Sequence, residues 1–435
     1  MQQIELPYGQ GLDGGKGYRS LNISQDAVHY SFREPEYAVE ESDFRMRLRD
    51  LVEPVLMQRG KSTNVAIVVA DKTRLCGYTT ILPWVVTTLQ ELDVDPAEIT
   101  FFIAYGTHPR QSDDECLKAY GEVYNNYRFI HHDCEKKEQF QELGKTGRGT
   151  PVRVRKELCS AGLVLTVGAL SHHYFAGYGG GRKLIFPGLG EREAIYANHR
   201  LFLDPEQSTL SAGCRPGNLV GNPLADDLRD MQSRMPDYHS IHGILDSKGE
   251  VARFIFGDSY QDFLAACDEL DSYYTVEQKE QYPLVIASAG GFPKDINFIQ
   301  SHKSIHNAAP LVEDGGTLIM FAECRDGIGS KTFLPYFRMG GWKQAFTELV
   351  ACYVGNGGTA LAMMEKTRRI RIALITDLDE EICREIGVKK ISPDQAQLVL
   401  DDLDTDCRVG IVANSSLLVT KQKTGIAGGK TVVQP

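Results

Sequence analysis

Residues 64–70 read NVAIVVA, residues 99–105 read ITFFIAY and residues 162–168 read GLVLTVG. Each is a short, nearly continuous run of β-branched and aliphatic residues with little polar alternation, so each reads as a strand buried on both faces. Residues 79–92 and 111–121, which follow the first two runs, have the longer amphipathic spacing of helices. Such strands alternating with helices make a parallel sheet covered by helices, an α/β fold. The alternation lapses in the polar stretch 268–281 (DELDSYYTVEQKEQ) and resumes at residues 284–288, 317–322, 370–376 and 409–413. We therefore expect two domains, each with a largely parallel sheet flanked by helices: residues 1–270, a linker at 271–282, and residues 283–410. Residues 411–435 are read as a tail, with a return to the first domain left open.

The 435 residues carry 47 Lys and Arg against 58 Asp and Glu, a net charge of −11, without any basic run. Nucleic acid and anionic membranes are therefore excluded as expected partners. No stretch approaches the roughly 18 apolar residues of a spanning helix, and the opening MQQIELPYGQG has neither a basic nor an apolar leader segment, so the expectation is a cytoplasmic enzyme. Ten cysteines are scattered singly with no C-x-x-C pair, which reads as reduced thiols rather than a disulfide framework or zinc knuckle.

In open α/β sheets ligands bind beyond the carboxyl ends of the strands. Here the first run ends in Asp71, Lys72, Thr73 and Arg74, the second in Gly106, Thr107 and His108, and the third in Ser171, His172 and His173. A carboxylate with a guanidinium, one histidine and a histidine pair thus reach one sheet edge. His131 and His132 follow a similar run but precede charged residues, and are read as a solvated strand end.

Residues 171–200, SHHYFAGYGGGRKLIFPGLGEREAIYANHR, hold glycines at 177, 179, 180 and 181 that free the backbone for close approach to a ligand. Backbone amides in such a loop can face a phosphate. The segment is not a P-loop, since Leu184 follows Lys183, nor a dinucleotide fingerprint, since Arg182 stands where a third glycine belongs.

The run from His173 to Lys183, with Pro187-Gly188, Asn198-His199, Asp71 to Arg74 and Gly106 to His108, resembles the lactate racemase family that uses a nickel-pincer nucleotide. Gly290, Gly291, Pro293, Lys294, Asp295, Asn297, Gln300 and Lys303 extend the resemblance, which runs from the opening IELPYGQG to about residue 305. It implies that Lys183 joins the cofactor covalently and that His199 is the protein ligand of nickel, a nitrogen beside soft sulfur donors that suits Ni(II). Gly179, Gly180, Gly181 and Asp71, an orienting carboxylate, complete the cofactor-binding set. His108 and His173 are implied as acid/base catalysts, with Arg74, Gln300 and Lys303 on a small 2-hydroxy acid substrate. Because Arg74 and Lys303 fall on opposite sides of the domain boundary, the active site is expected in an interdomain cleft. Enzymes that synthesise the cofactor are the implied protein partners.

The implied reaction is racemisation or epimerisation at C2, with hydride leaving C2 while a base takes the hydroxyl proton. Leu75-Cys76-Gly77, Ile299 before Gln300, and the lack of tryptophan in residues 353–364 depart from the lactate enzyme, so a substrate other than lactate is expected. Two other readings stay open: a zinc hydrolase or lyase built from His108, His172, His173 and His199, and a non-catalytic carrier of the nucleotide. His172 should point away from His173 on extended backbone, towards support or burial. His302 and His306 are read as surface residues.

Overall fold

The computed structural model describes residues 2–60 and 63–422. The chain forms two units. One gathers Arg33–Tyr273 and Met339–Leu361; the other gathers the described residues of Met1–Phe32, Tyr274–Arg338 and Ala362–Pro435. Both are α/β, as the hydrophobic runs require. Among the described residues no helix is long and apolar enough to cross a membrane, and no disulfide is present.

The larger unit is built on a six-stranded sheet in the order Val251–Gly257, His239–Leu245, Leu163–Leu170, Val65–Ala70, Ile99–Ala104, Arg128–His131. All neighbours are parallel except the Val251–Gly257 edge. All six residues of Val65–Ala70 are buried, which is why that strand shows no polar alternation. The helix Tyr78–Glu91 covers the sheet with Tyr78, Ile81, Leu82, Val85, Val86 and Leu89, a stripe at helical spacing. The strand order runs outwards one way from Val65–Ala70 and the other way from Leu163–Leu170. The reversal lies between them, and this switch point is where α/β sheets open a crevice.

The second sheet is wholly parallel, in the order Lys389–Lys390, Arg371–Ile375, Val312–Phe321, Tyr282–Ser288, Arg408–Val412, Asp26–Tyr30. Its reversal lies beside Tyr282–Ser288, whose carboxyl end leads through Gly290 and Gly291 into the helix Phe298–Ala308.

The domain limits differ from those expected. Asp26–Tyr30 pairs with Arg408–Val412, and Ile4, Leu6, Tyr8, Leu21 and Ile23 of the first hairpin pack with Ile286, Ile319 and Ile411. Residues 1–32 therefore belong with the C-terminal sheet and not to a domain 1–270. The stretch 271–282 is not a free linker: Thr275–Gln278 pairs with Val419–Gln422. Residues 411–422 accordingly belong to the smaller unit, Val419–Gln422 in a two-stranded sheet of its own with Thr275–Gln278, while residues 423–435 of the tail lie outside the described residues.

Three histidine readings also change. His132 is buried with Nε2 3.0 Å from the Gly190 carbonyl, so it is no solvated strand end. His302 and His306 are buried rather than on the surface, on a helix that also buries Phe298 and Ile305. Burial pushes the imidazoles of His132 and His242 down to about 4 and that of His302 to about 3, from an ordinary 6.5. A group that is neutral when folded and protonated when unfolded contributes stability above its unfolded value, lost as pH falls towards its folded one. Between pH 6.5 and 4 the thermal midpoint of the unloaded protein should drop by at least about 5 °C. A flat midpoint over that window in scanning calorimetry would contradict the burial.

Candidate active site

Asp71 directly follows the strand Val65–Ala70 and is almost fully buried. Its Oδ1 accepts from the Thr73 amide at 2.9 Å and the Thr73 hydroxyl at 2.6 Å, and its Oδ2 lies 2.6 Å from His108 Nδ1. Burial raises the carboxyl pKa, but the hydrogen bonds of His108 and Thr73 and the charge of Arg74 outweigh it, holding Asp71 below its ordinary 3.8. The carboxylate is thus ionised and only accepts, so Nδ1 of His108 carries the hydrogen and Nε2 is left for proton exchange. His108 is about half exposed, its side chain retaining 46% of its accessible surface, so its outer nitrogen can meet a substrate.

Across the switch point, His172 and His173 pair with Tyr178 and Gly177 in a short antiparallel bridge. Alternation sends them opposite ways. His172 Nε2 lies 2.7 Å from Asp271 Oδ1, and the Tyr178 hydroxyl donates to Asp271 Oδ2 at 2.7 Å, so His172 braces the bridge as expected. His173 Nδ1 accepts the Ala176 amide at 3.3 Å, and its ring meets Phe175 at 4.5 Å.

The glycine loop doubles back on the sheet. A Cβ on Gly180 would lie 2.8 Å from the Ala169 carbonyl oxygen and one on Gly181 2.4 Å from His242 Cε1, and both residues have positive φ. Gly179 commits its amide to Ser171, whereas the Gly180 and Gly181 amides donate to no protein acceptor among the described residues. Lys183 follows, buried in the short helix Arg182–Ile185, with Nζ 5.5 Å from the centre of the Phe175 ring. Burial, then Arg74 and Arg182, push its pKa well below the ordinary lysine value. Burial thus favours the neutral, nucleophilic form of the amine.

His199 stands near the end of the helix Arg192–Arg200, its ring 5.2 Å from Phe175 and 5.9 Å from Tyr353. Burial, then Lys183 and Arg74, push its pKa to about 3, so it is a neutral imidazole at any working pH. Neither ring nitrogen has a hydrogen bond among the described residues, which leaves a lone pair for a metal. Arg74 is exposed, and its charge reaches Asp71, Tyr174, Lys183 and His199. Phe175 is the hub that the sequence did not reveal: His173, Lys183 and His199 all surround it.

A buried amine whose neutral form is favoured and a neutral, unbonded imidazole on one aromatic ring fit a covalently tethered metal cofactor that brings most of its own donors. A zinc site of the alternative kind needs about three protein ligands. Among the described residues no group of three His, Cys, Asp or Glu side chains is placed to hold an ion, and His172 is turned to Asp271. In the smaller unit Gln300 and Lys303 share a face of Phe298–Ala308, with Lys303 Nζ donating to Gln300 Oε1 at 2.8 Å.

The family model of the lactate racemase N-terminal domain matches residues 15–210, and that of the lactate racemase C-terminal domain matches residues 277–361, together more than half of the chain. The chain belongs to the lactate racemase family. The lactate racemase of Thermoanaerobacterium thermosaccharolyticum is 28% identical over 353 residues, 78% of each chain. That of Lactiplantibacillus plantarum is 28% identical over 341 residues, 77% of each. In fold, the chain matches the lactate racemase apoprotein structure from T. thermosaccharolyticum with a TM-score of 0.82 at 22% identity, covering 97% of this chain and all of that one. A Thermotoga maritima protein matches at 0.65 and 17% identity, covering 91% of this chain and all of that one. The lactate racemase N-terminal match contains every site residue from Asp71 to His199; the C-terminal match contains Gln300, Lys303 and Tyr353.

Proposed function

We propose that this protein is a racemase or epimerase inverting C2 of a 2-hydroxy acid by proton-coupled hydride transfer, with a nickel-pincer nucleotide joined to Lys183 and its metal bound by His199. The observation that carries the reading is the pairing around Phe175 of a buried lysine, whose neutral form burial favours, with a neutral imidazole, in a chain whose curated relatives are lactate racemases. When bound, the cofactor supplies the electrophile that accepts the C2 hydrogen, which no side chain offers.

The chain's own residues manage charge and protons. His108 Nε2, backed by Asp71, takes the hydroxyl proton from one face and leaves a planar 2-keto acid. His173 is assigned as the acid/base group of the other face. Arg74 presents a planar fork to the carboxylate, Lys303 a mobile charge to the developing oxyanion, and Gln300 a hydrogen bond beside it. Asp71 and the Gly179–Gly181 backbone are assigned to orienting the cofactor side. Loading requires the cofactor-synthesis enzymes as transient partners. Leu75 to Gly77, Ile299 and the tryptophan-free stretch 353–364 favour a longer or more polar acid than lactate.

A panel of 2-hydroxy acids turned over in heavy water tests this. The inverted product should retain its original C2 hydrogen, and lactate should be among the slowest substrates. Deuterium entering C2 would refute hydride transfer, efficient lactate racemisation would refute the substrate reading, and a loaded protein that turns over nothing would be a carrier.

A further inference from the structure

The chain passes to the larger unit after Arg338 and leaves it again after Leu361. This excursion is fastened at both ends: Trp342 Nε1 donates to the Ser208 carbonyl at 3.0 Å, and Thr359 Oγ1 lies 3.1 Å from the Tyr174 hydroxyl. Between them Tyr353 is 3% exposed. Its ring lies 5.9 Å from that of His199 at 62° and 5.8 Å from that of Tyr196 at 48°. Tyr196 and His199, three residues apart, share one helix face, and Tyr353 covers it. Phe175 is the other ring against the imidazole, 5.2 Å away at 69°.

A metal-bound histidine is normally aimed by a hydrogen bond from its second ring nitrogen. His199 makes none among the described residues, so aromatic contacts take over the aiming. Gly358 shows how closely Tyr353 is fitted. Its φ is not positive, and it stands in the helix Gly357–Arg369, where alanine would ordinarily be preferred. A Cβ there would lie 2.6 Å from the Tyr353 hydroxyl oxygen.

We propose that Tyr353 is a positioning residue for His199: its ring fixes the imidazole plane and so the direction of the nitrogen that meets nickel. The proposal rests on the reading of His199 as the nickel ligand.

The test uses protein produced together with the cofactor-synthesis enzymes, as wild type, Tyr353→Phe, Tyr353→Leu, Gly358→Ala and His199→Ala. The readouts are nickel per chain, adduct mass on the Lys183 peptide, nickel release into EDTA, and thermal midpoint. Tyr353→Leu should release nickel about tenfold faster than wild type while keeping the adduct, and Tyr353→Phe should stay within about twofold. Gly358→Ala should also release faster, although alanine favours the helix. Wild-type release from Tyr353→Leu, with only the midpoint lowered, would overturn the proposal and leave His199 as ligand. If Tyr353→Leu does not fold, Gly358→Ala decides in the same way. His199→Ala holding nickel as wild type does, or a wild type without nickel, would remove the ligand reading and this proposal with it.

Discussion

Replacing Lys183 by alanine should remove the cofactor mass from the protein and lower turnover at least about 10⁶-fold, since a site without its hydride acceptor keeps little advantage over water. Lys183→Arg should fail equally, because a guanidinium stays protonated and offers no free amine lone pair to form the bond. The chain around the lysine should survive: Lys183 joins no salt bridge among the described residues, and removing a buried amine relieves burial of a potential charge. Intact mass, peptide mapping and the thermal midpoint read the three consequences separately. An adduct on another residue, or one persisting in Lys183→Ala, would sink the assignment.

Asp71→Asn should lower kcat by about 10³ to 10⁴-fold with the adduct and nickel retained. The amide oxygen can still accept from Thr73, so the turn after the strand is kept. The other half of the side chain then offers N–H to His108 Nδ1, which moves the imidazole hydrogen to Nε2 and removes the base. Because Asp71 is held below its ordinary 3.8, any acid loss of wild-type activity through this carboxylate should fall at lower pH than an ordinary aspartate would give. A kcat within tenfold of wild type would show that His108 does not need Asp71 to set its tautomer.

The placement of the candidate site residues was legible in the sequence wherever they follow a strand. Asp71, Arg74, His108 and His173 stand just beyond buried hydrophobic runs, and a parallel sheet brings such ends to one edge. Long-range pairing was not legible. Asp26–Tyr30 joins Arg408–Val412 across almost the whole chain, and a short strand at a sheet edge has no local signature of its partner. The neighbours Gln300 and Lys303 make His302 read as exposed, although Phe298, His302 and Ile305 repeat at helical spacing and mark a buried face. Phe175 and Tyr353 carry no signal in the sequence, because aromatic residues are ordinary core material until their rings lie against Lys183 and His199.

The excursion of residues 339–361 has a consequence for recombination between relatives. The chain crosses between its units at 32/33, 273/274, 338/339 and 361/362, so no single splice exchanges one unit intact. A chimera joined near residue 273 carries the Lys183 and His199 of one parent with the Tyr353 and Thr359 of the other. Its two halves of one aromatic contact then have separate ancestries, and a graft meant to change only the substrate half also changes the packing around the metal ligand. A clean exchange needs all four junctions at once.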